Sequence, residues 1–190
     1  MSMAETRDWQ RNRDLWIRVL EKQTGETVEV WNQRIRRENF ADQNSLRAWL
    51  NRRDVTGYAQ TLLVMERFGY PDFVLASADE LINAQYADRP ELRPVFDALI
   101  SAAIALGDVI IQARKTYVSL LTPRRTFARV QATTRNRVDL ALRLEQLRPI
   151  GRLQPSKIHD TTPVQVSLTS PADVDAEVLG WLQRAYAENC

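Results

Sequence analysis

Apolar residues in the first hundred positions recur at intervals of three and four, the spacing of one helix face. Residues 4–23 place Trp9, Trp16, Val19 and Leu20 in this way, and Thr24-Gly25 stops the run. Thr27 is placed to cap a second helix with Val28, Trp31 and Ile35 on one side. Residues 45–52 predict a short third helix carrying Leu46, Trp49 and Leu50. Thr56 opens a fourth, with Tyr58, Leu62, Met65 and Phe68, and Gly69 closes it. Tyr70-Pro71-Asp72 reads as a loop. Ser77 and Glu80 then stand at capping-box spacing, where a hydroxyl and a carboxylate each satisfy one free end amide. They predict a helix over 78–87. The Pro90 region begins what reads as the longest helix, through Phe96, Leu99, Ile100, Ala103, Ile104 and Leu106, ended by Gly107.

Beyond residue 108 the period falls from 3.6 to 2, the signature of strands. Residues 109–111 suit a strand, and 115–121 alternate Lys115, Tyr117 and Ser119 with Thr116, Val118 and Leu120. A turn of Thr122, Pro123, Arg124 and Arg125 separates these from strands at 126–132 and 138–144. Residues 149–163 read as irregular, and 164–168 as a last strand. Ser170-Pro171 predicts the start of a final helix carrying Val174, Val178, Trp181, Leu182 and Ala185. Helices followed by strands argue for an α+β fold. The expectation is an N-terminal helical module, residues 1–72, then an antiparallel sheet domain with flanking helices and a C-terminal helix, residues 73–190.

Composition adds little except through charge. The chain has 190 residues, 44% hydrophobic and 26% charged, enough apolar material for a core. Its apolar runs, of which 102–106 leads into 109–111, fall far short of the ~20 residues of a membrane span. With a polar, charged start, the expectation is a cytoplasmic protein with no membrane partner. The formal net charge of +2 conceals an asymmetry. Residues 110–157 hold eleven Lys and Arg against Asp139 and Glu145, a local charge of +9. Residues 158–190 stand at −4 and residues 1–109 at −3. Such a segment attracts anions.

Several chemistries lack their residues. The single histidine, His159, stands beside Asp160 with no nucleophile motif near it, so a surface role is expected. Cys190 is the single cysteine and ends the sequence, which leaves no internal disulfide and no cysteine metal site. Asp173, Asp175 and Glu177, two apart, spread around a helix axis, and acids in a first turn complement the helix dipole. With six glycines in all, no phosphate-cradling glycine motif is present. No cofactor and no metal is expected, and no residue is assigned a catalytic role.

The expected sheet has two unlike faces. Val118, Leu120, Ala128, Val130, Val138, Leu140, Leu142 and Leu144 form one apolar face. The other carries Lys115, Tyr117, Ser119, Phe127, Arg129, Gln131, Asp139, Ala141 and Arg143. Aromatic rings among cations stack on planar groups while the cations hold phosphates or carboxylates. Lys115, Tyr117, Ser119, Phe127, Arg129, Asp139 and Arg143 are therefore the candidate ligand residues. Arg124, Arg125, Arg135 and Arg137, all in turns, together would rim one end of the sheet. The structural alternative puts Tyr117 and Phe127 beneath the last helix, with Arg143 paired to Asp139. The tryptophans fall at apolar helical positions and read as core.

Two runs of residues look familiar. Thr24-Gly25 with Trp31, then Trp49-Leu50 and Gly57-Tyr58-Ala59, resemble a bacterial helical domain of unknown function, family four-two-eight-seven. Pro90, Leu92-Arg93-Pro94 and Phe96, then Lys115-Thr116-Tyr117-Val118-Ser119, Phe127-Ala128 with Val130, Arg137-Val138-Asp139-Leu140, and the closing Asp173, Asp175, Glu177, Trp181, Ala185-Tyr186 resemble its companion, family five-six-five-five. The resemblance implies an α+β domain of binding or accessory kind. One departure is Ala141, where that family usually carries Gly after the Val-Asp-Leu run.

The expectation for function is thus a non-catalytic binding protein whose basic sheet face engages nucleic acid or a planar anionic molecule. A protein-interaction or sequestration module, built on the Trp- and Arg-rich helices, is the alternative. An enzyme using Lys115, Tyr117, Asp139 or Arg143 ranks third, because nothing in the sequence makes those groups converge.

Overall fold

A computed structural model describes the backbone at Glu5, Thr6 and residues 9–190, and side chains from residue 12 onward. The chain divides into two compact units. One is helical and ends at Ala76, and the other runs from Ser77 to Cys190 and includes the strand Glu5–Thr6.

The helical unit contains α1 (Trp9–Thr24), α2 (Val28–Glu38), α3 (Gln43–Asn51), α4 (Gly57–Phe68) and the single turn α5 (Asp72–Leu75). The three- and four-residue spacings become its core. Leu20, Val28, Trp31, Ile35, Leu46, Leu50, Leu62 and Leu63 are buried together. Trp31 and Trp49 meet edge to face at 6.0 Å, an arrangement that ring quadrupoles favour. Trp9 starts α1, and its side chain lies outside the described residues. Asp42, ahead of the expected start of α3, caps it by accepting from the Ser45 amide at 2.8 Å. Gln60 is buried but fully engaged. It accepts from Arg47 and donates to Asn51 Oδ1 and the Val55 carbonyl.

The second unit is α+β, as the change of period predicts. It holds β1 (Glu5–Thr6), α6 (Ala78–Tyr86), α7 (Arg93–Ile104), β2 (Ile110–Ala113), β3 (Val118–Leu121), β4 (Thr126–Thr134), β5 (Arg137–Leu142), β6 (Gln154–His159), β7 (Thr162–Leu168) and α8 (Ala176–Asn189). Six strands pair antiparallel in the order β2-β3-β4-β5-β7-β6, and β1 adds in parallel at the β2 edge. The Ser77 capping box forms as expected, with Glu80 Oε2 accepting from the Ser77 amide at 2.8 Å. The helix expected to be longest is shorter than α1. A 3-10 turn at Pro90–Leu92 leads into its twelve residues, against sixteen in α1. Gly107 follows with φ +141°, a backbone region that side chains avoid.

The expected apolar face is real. Val118, Leu120, Ala128, Val130, Val138, Leu140 and Leu142 pack with Val95, Phe96 and Leu99 of α7 and Val178, Leu182 and Ala185 of α8 in one buried cluster. Truncating a fully buried residue such as Leu140 to Ala costs about 2–5 kcal/mol.

Four local expectations are corrected. The strand expected over 115–121 is ordered only from Val118, because the Arg114 amide bonds back to the Tyr117 carbonyl at 2.8 Å and closes a tight turn. Residues 149–163 contain the edge strand β6, disguised by its polar composition and Pro155. Ser170-Pro171 opens a 3-10 turn, and α8 itself starts at Ala176 under an Asp175 cap. Lastly, the β3–β4 register slips so that Leu120 faces Ala128 and Leu121 faces Thr126. Phe127 is the extra residue of that bulge, and a bulge breaks strand alternation.

Candidate ligand site on the polar face of the sheet

Cross-strand partners share a face, so register fixes what the face opposite the apolar cluster presents. One row runs Gln112, Ser119, Arg129, Ala141, Gln165 and Gln154 across successive strands. The next runs Gln131, Asp139 and Ser167. Polar side chains dominate both rows, yet Gln112, Ser119, Arg129, Asp139 and Gln165 are all buried.

Part of the cover comes from the β6–β7 hairpin. Between Pro155 and His159 its register is irregular, and the Lys157 amide donates to Gln165 Oε1 at 2.8 Å. Lys157 and Ile158 thereby join Tyr117, Gln131, Arg137, Asp139 and Gln165 around a cavity of about 330 Å³. That lies at the small end of ligand pockets. Asp139 is 1% exposed. Its Oδ1 accepts from Ser167 Oγ at 2.6 Å and lies 3.1 Å from Arg137 Nε, a contact without hydrogen-bond geometry. Its Oδ2 is buried with no hydrogen-bond partner.

Arg129 lies one row away. It is 8% exposed, and its Nη1 donates to the hydroxyls of Thr161 at 2.8 Å and Thr162 at 3.3 Å. Its guanidinium carbon is 5.9 Å from the centre of the Tyr117 ring. Among the described residues no carboxylate is within ion-pair range of Arg129, Arg114 or Lys157. Burial lowers the Arg129 pKa from its ordinary value, the Tyr117 hydroxyl works the other way, and the charges of Arg143 and Arg114 lower it further. The arrangement holds a preorganised cation that lacks a protein anion.

The fold brings together Tyr117, Ser119, Arg129 and Asp139 of the expected set, with Arg143 just past the end of β5, near enough for its charge to act on Arg129. It does not bring in the other two. Phe127, displaced by the bulge, is fully buried in the helix layer, its ring 5.5 Å from that of Tyr186 in α8. Tyr117 is then the one aromatic of the expected set left on the polar face. Lys115 is exposed in the β2–β3 turn and lines a neighbouring recess with Gln85, Asp88 and Arg89. The pairing of Arg143 with Asp139 does not form, since Arg143 bonds Glu145 and Asp139 meets Arg137.

The arginines expected to rim one end of the sheet lie at two. Arg124 and Arg125 sit in the β3–β4 turn, bonded to the carbonyls of Cys190 and Glu188. Arg135 and Arg137 sit at the far end of β4. Nine strand residues, roughly 30 Å at ~3.3 Å each, separate the pairs. Of the four, Arg137 reaches the cavity.

Sequence reasoning missed Lys157, Gln131 and Gln165 as site residues. Gln131 was visible on the polar face. Lys157 and Gln165 join through the order β5-β7-β6, which local pattern does not encode. The acids Asp173 and Asp175 serve as helix-end acceptors, for the amides of Thr169 and Ser170 and of Val178. His159 is exposed at the end of β6, with Nδ1 accepting from the Thr161 amide.

Residues 82–189 match the family model described as Domain of unknown function (DUF5655). No curated protein and no solved structure matches the chain.

Proposed function

We propose a function from one premise: the chain belongs to the DUF5655 family, a domain of unknown function, and so its own residues must carry the reading. The second unit is a non-catalytic binding module whose polar sheet face takes an anionic molecule bearing a planar group. The observation that carries this is Arg129, a cation buried on the sheet with hydroxyls for company and no carboxylate. A buried charge is normally paired, because desolvation costs several kcal/mol per ion. An incoming phosphate or carboxylate supplies the missing partner, and Tyr117 offers the planar group a ring. The helical unit, whose Thr24-Gly25, Trp31 and Trp49-Leu50 resemble family four-two-eight-seven, acts in this reading as an accessory to that module.

The test is calorimetric titration of the full chain with ribose 5-phosphate and a single-stranded oligonucleotide at low and moderate salt. Binding should weaken as salt rises, since exposed parts of the contact are screened. Arg129→Met should weaken it at least tenfold. Absence of binding to either probe at low salt would sink the reading.

A further inference from the structure

Buried polar atoms without partners occur at several places, and most belong to neutral or cationic groups. Gln85 Oε1 and Asn189 Oδ1 are amide oxygens, and Tyr86 Oη lies in the apolar core. Asp139 Oδ2 differs from these in kind. It is the one carboxylate oxygen among the described orphans, and its residue lines the cavity beside Tyr117. An ionised oxygen left without a donor is the costliest kind of unsatisfied group. The protein's own donors near it, Ser167 Oγ and Arg137 Nε, both address Oδ1. Among the described residues no donor reaches Oδ2.

The same cavity holds the complementary parts. Tyr117 supplies a ring edge or face, Gln131 and Gln165 supply amides, and Lys157 and Arg137 supply positive charge at the rim. A ligand that satisfies all of these is planar, donates an N–H and carries an anion. We infer that the Tyr117–Asp139 cavity binds a nucleotide, its base against Tyr117 with a base N–H donated to Asp139 Oδ2 and its phosphate toward Arg129 beside the Tyr117 ring, with Lys157 and Arg137 flanking. The nucleotide is either free or one residue of a single strand. This inference rests on the proposed anion-binding reading and names its ligand class.

The experiment compares, on the full chain, the four common nucleoside 5′-monophosphates, ribose 5-phosphate, purine riboside 5′-monophosphate and a short single-stranded oligonucleotide. Purine riboside keeps the purine shape and has no N–H donor on its base. At least one nucleoside monophosphate should bind about tenfold or more tightly than ribose 5-phosphate, the scale expected for satisfying a buried charged acceptor. Purine riboside monophosphate should lose that gain in wild-type protein, so the test does not depend on a buried substitution folding. Asp139→Asn, checked for an unchanged melting temperature, should remove the gain and leave ribose 5-phosphate binding intact. Tighter binding of the oligonucleotide than of every mononucleotide would identify a strand as the source. If every monophosphate, with or without base donor, binds like ribose 5-phosphate, the nucleotide inference falls and the anion reading stands. If ribose 5-phosphate, the mononucleotides and the oligonucleotide all fail to bind at low salt, both fall.

Discussion

Replacing Arg129 with methionine separates a residue kept for stability from one kept for binding. Met has a similar length, no charge and a flexible apolar stem suited to the same space. The substitution removes two hydrogen bonds from a charged donor, to Thr161 and Thr162, each worth about 1.5–3 kcal/mol. It also removes the burial of a cation that lacks a counter-ion, a cost of several kcal/mol. Neither hydroxyl is stranded by the change. Thr161 Oγ1 still lies 3.1 Å from His159 Nδ1, and Thr162 Oγ1 still donates to the His159 carbonyl. The terms are of equal size, so the net stability change should stay within about 1 kcal/mol, or roughly 4 °C for a unit of this size. Removing one member of a true buried ion pair costs about 3–5 kcal/mol instead, roughly 12–20 °C. Scanning calorimetry of the full chain reads the difference. Tryptophan fluorescence in a Trp181→Phe background provides an internal reference, because Trp16, Trp31 and Trp49 belong to the helical unit and Trp181 to the sheet unit. A melting temperature near wild type with anion binding lost is the expected result. A fall of 12 °C or more would show that Arg129 is structural and refute its assignment to a ligand.

Two further predictions concern the sheet unit. Gly107→Ala sets a Cβ 2.6 Å from Tyr186 Oη at φ +141°, so it should cost about 1–3 kcal/mol, and Tyr186→Phe in the same chain should recover part of the loss. Thermal denaturation checks both, and an unchanged midpoint for Gly107→Ala would contradict the packing described. The amides of Thr169 and then Ser170 hold the Asp173 carboxyl below the usual carboxylate range. A depressed acid adds stability above its unfolded pKa of about 4 and loses it as pH falls through the lower folded value. The urea midpoint of Asp173→Asn should therefore trail wild type at pH 7 and converge with it below about pH 4. A gap that stays constant with pH would contradict the linkage.

The fold was legible where one rule governs each residue. Val28, Trp31 and Ile35 follow helix spacing into the helical core, and Val138, Leu140 and Leu142 follow strand alternation into the sheet core. The Ser77–Glu80 box is local chemistry and forms as written. Reading failed where the chain departs from its period. Phe127 sits on a bulge, and a bulge moves one residue across the sheet without leaving a mark in a pattern of polar and apolar positions. Strand β6 is mostly exposed and carries Pro155, so it lacks both alternation and apolar content. The site inherits these limits. Ser119, Arg129 and Asp139 were legible because alternation places them on one face, and Tyr117 reaches the cavity from the turn just before β3. Lys157 and Gln165 were not, because they arrive by a strand order decided at long range.

The two anomalies of the polar face point in opposite electrical directions, and this bears on what the face is for. Buried charges are normally paired, and a cation and a carboxylate on one face of a sheet are natural partners. Arg129 and Asp139 stand in adjacent rows of β4 and β5 and do not pair. Arg129 turns to Thr161 and Thr162, while Asp139 turns to Ser167 and Arg137. Each is thereby held in place by groups that leave part of its bonding capacity unused. Local inconsistencies of this kind gather at functional sites, where the missing partner is the ligand. A simple anion satisfies Arg129 and leaves Asp139 Oδ2 unsatisfied. A simple amine does the reverse and gains nothing from Arg129, Lys157 or Arg137. A molecule with an acidic end and an N–H-bearing ring answers both, which is why the discrimination between ribose 5-phosphate and a nucleoside monophosphate tests more of this face than either probe alone.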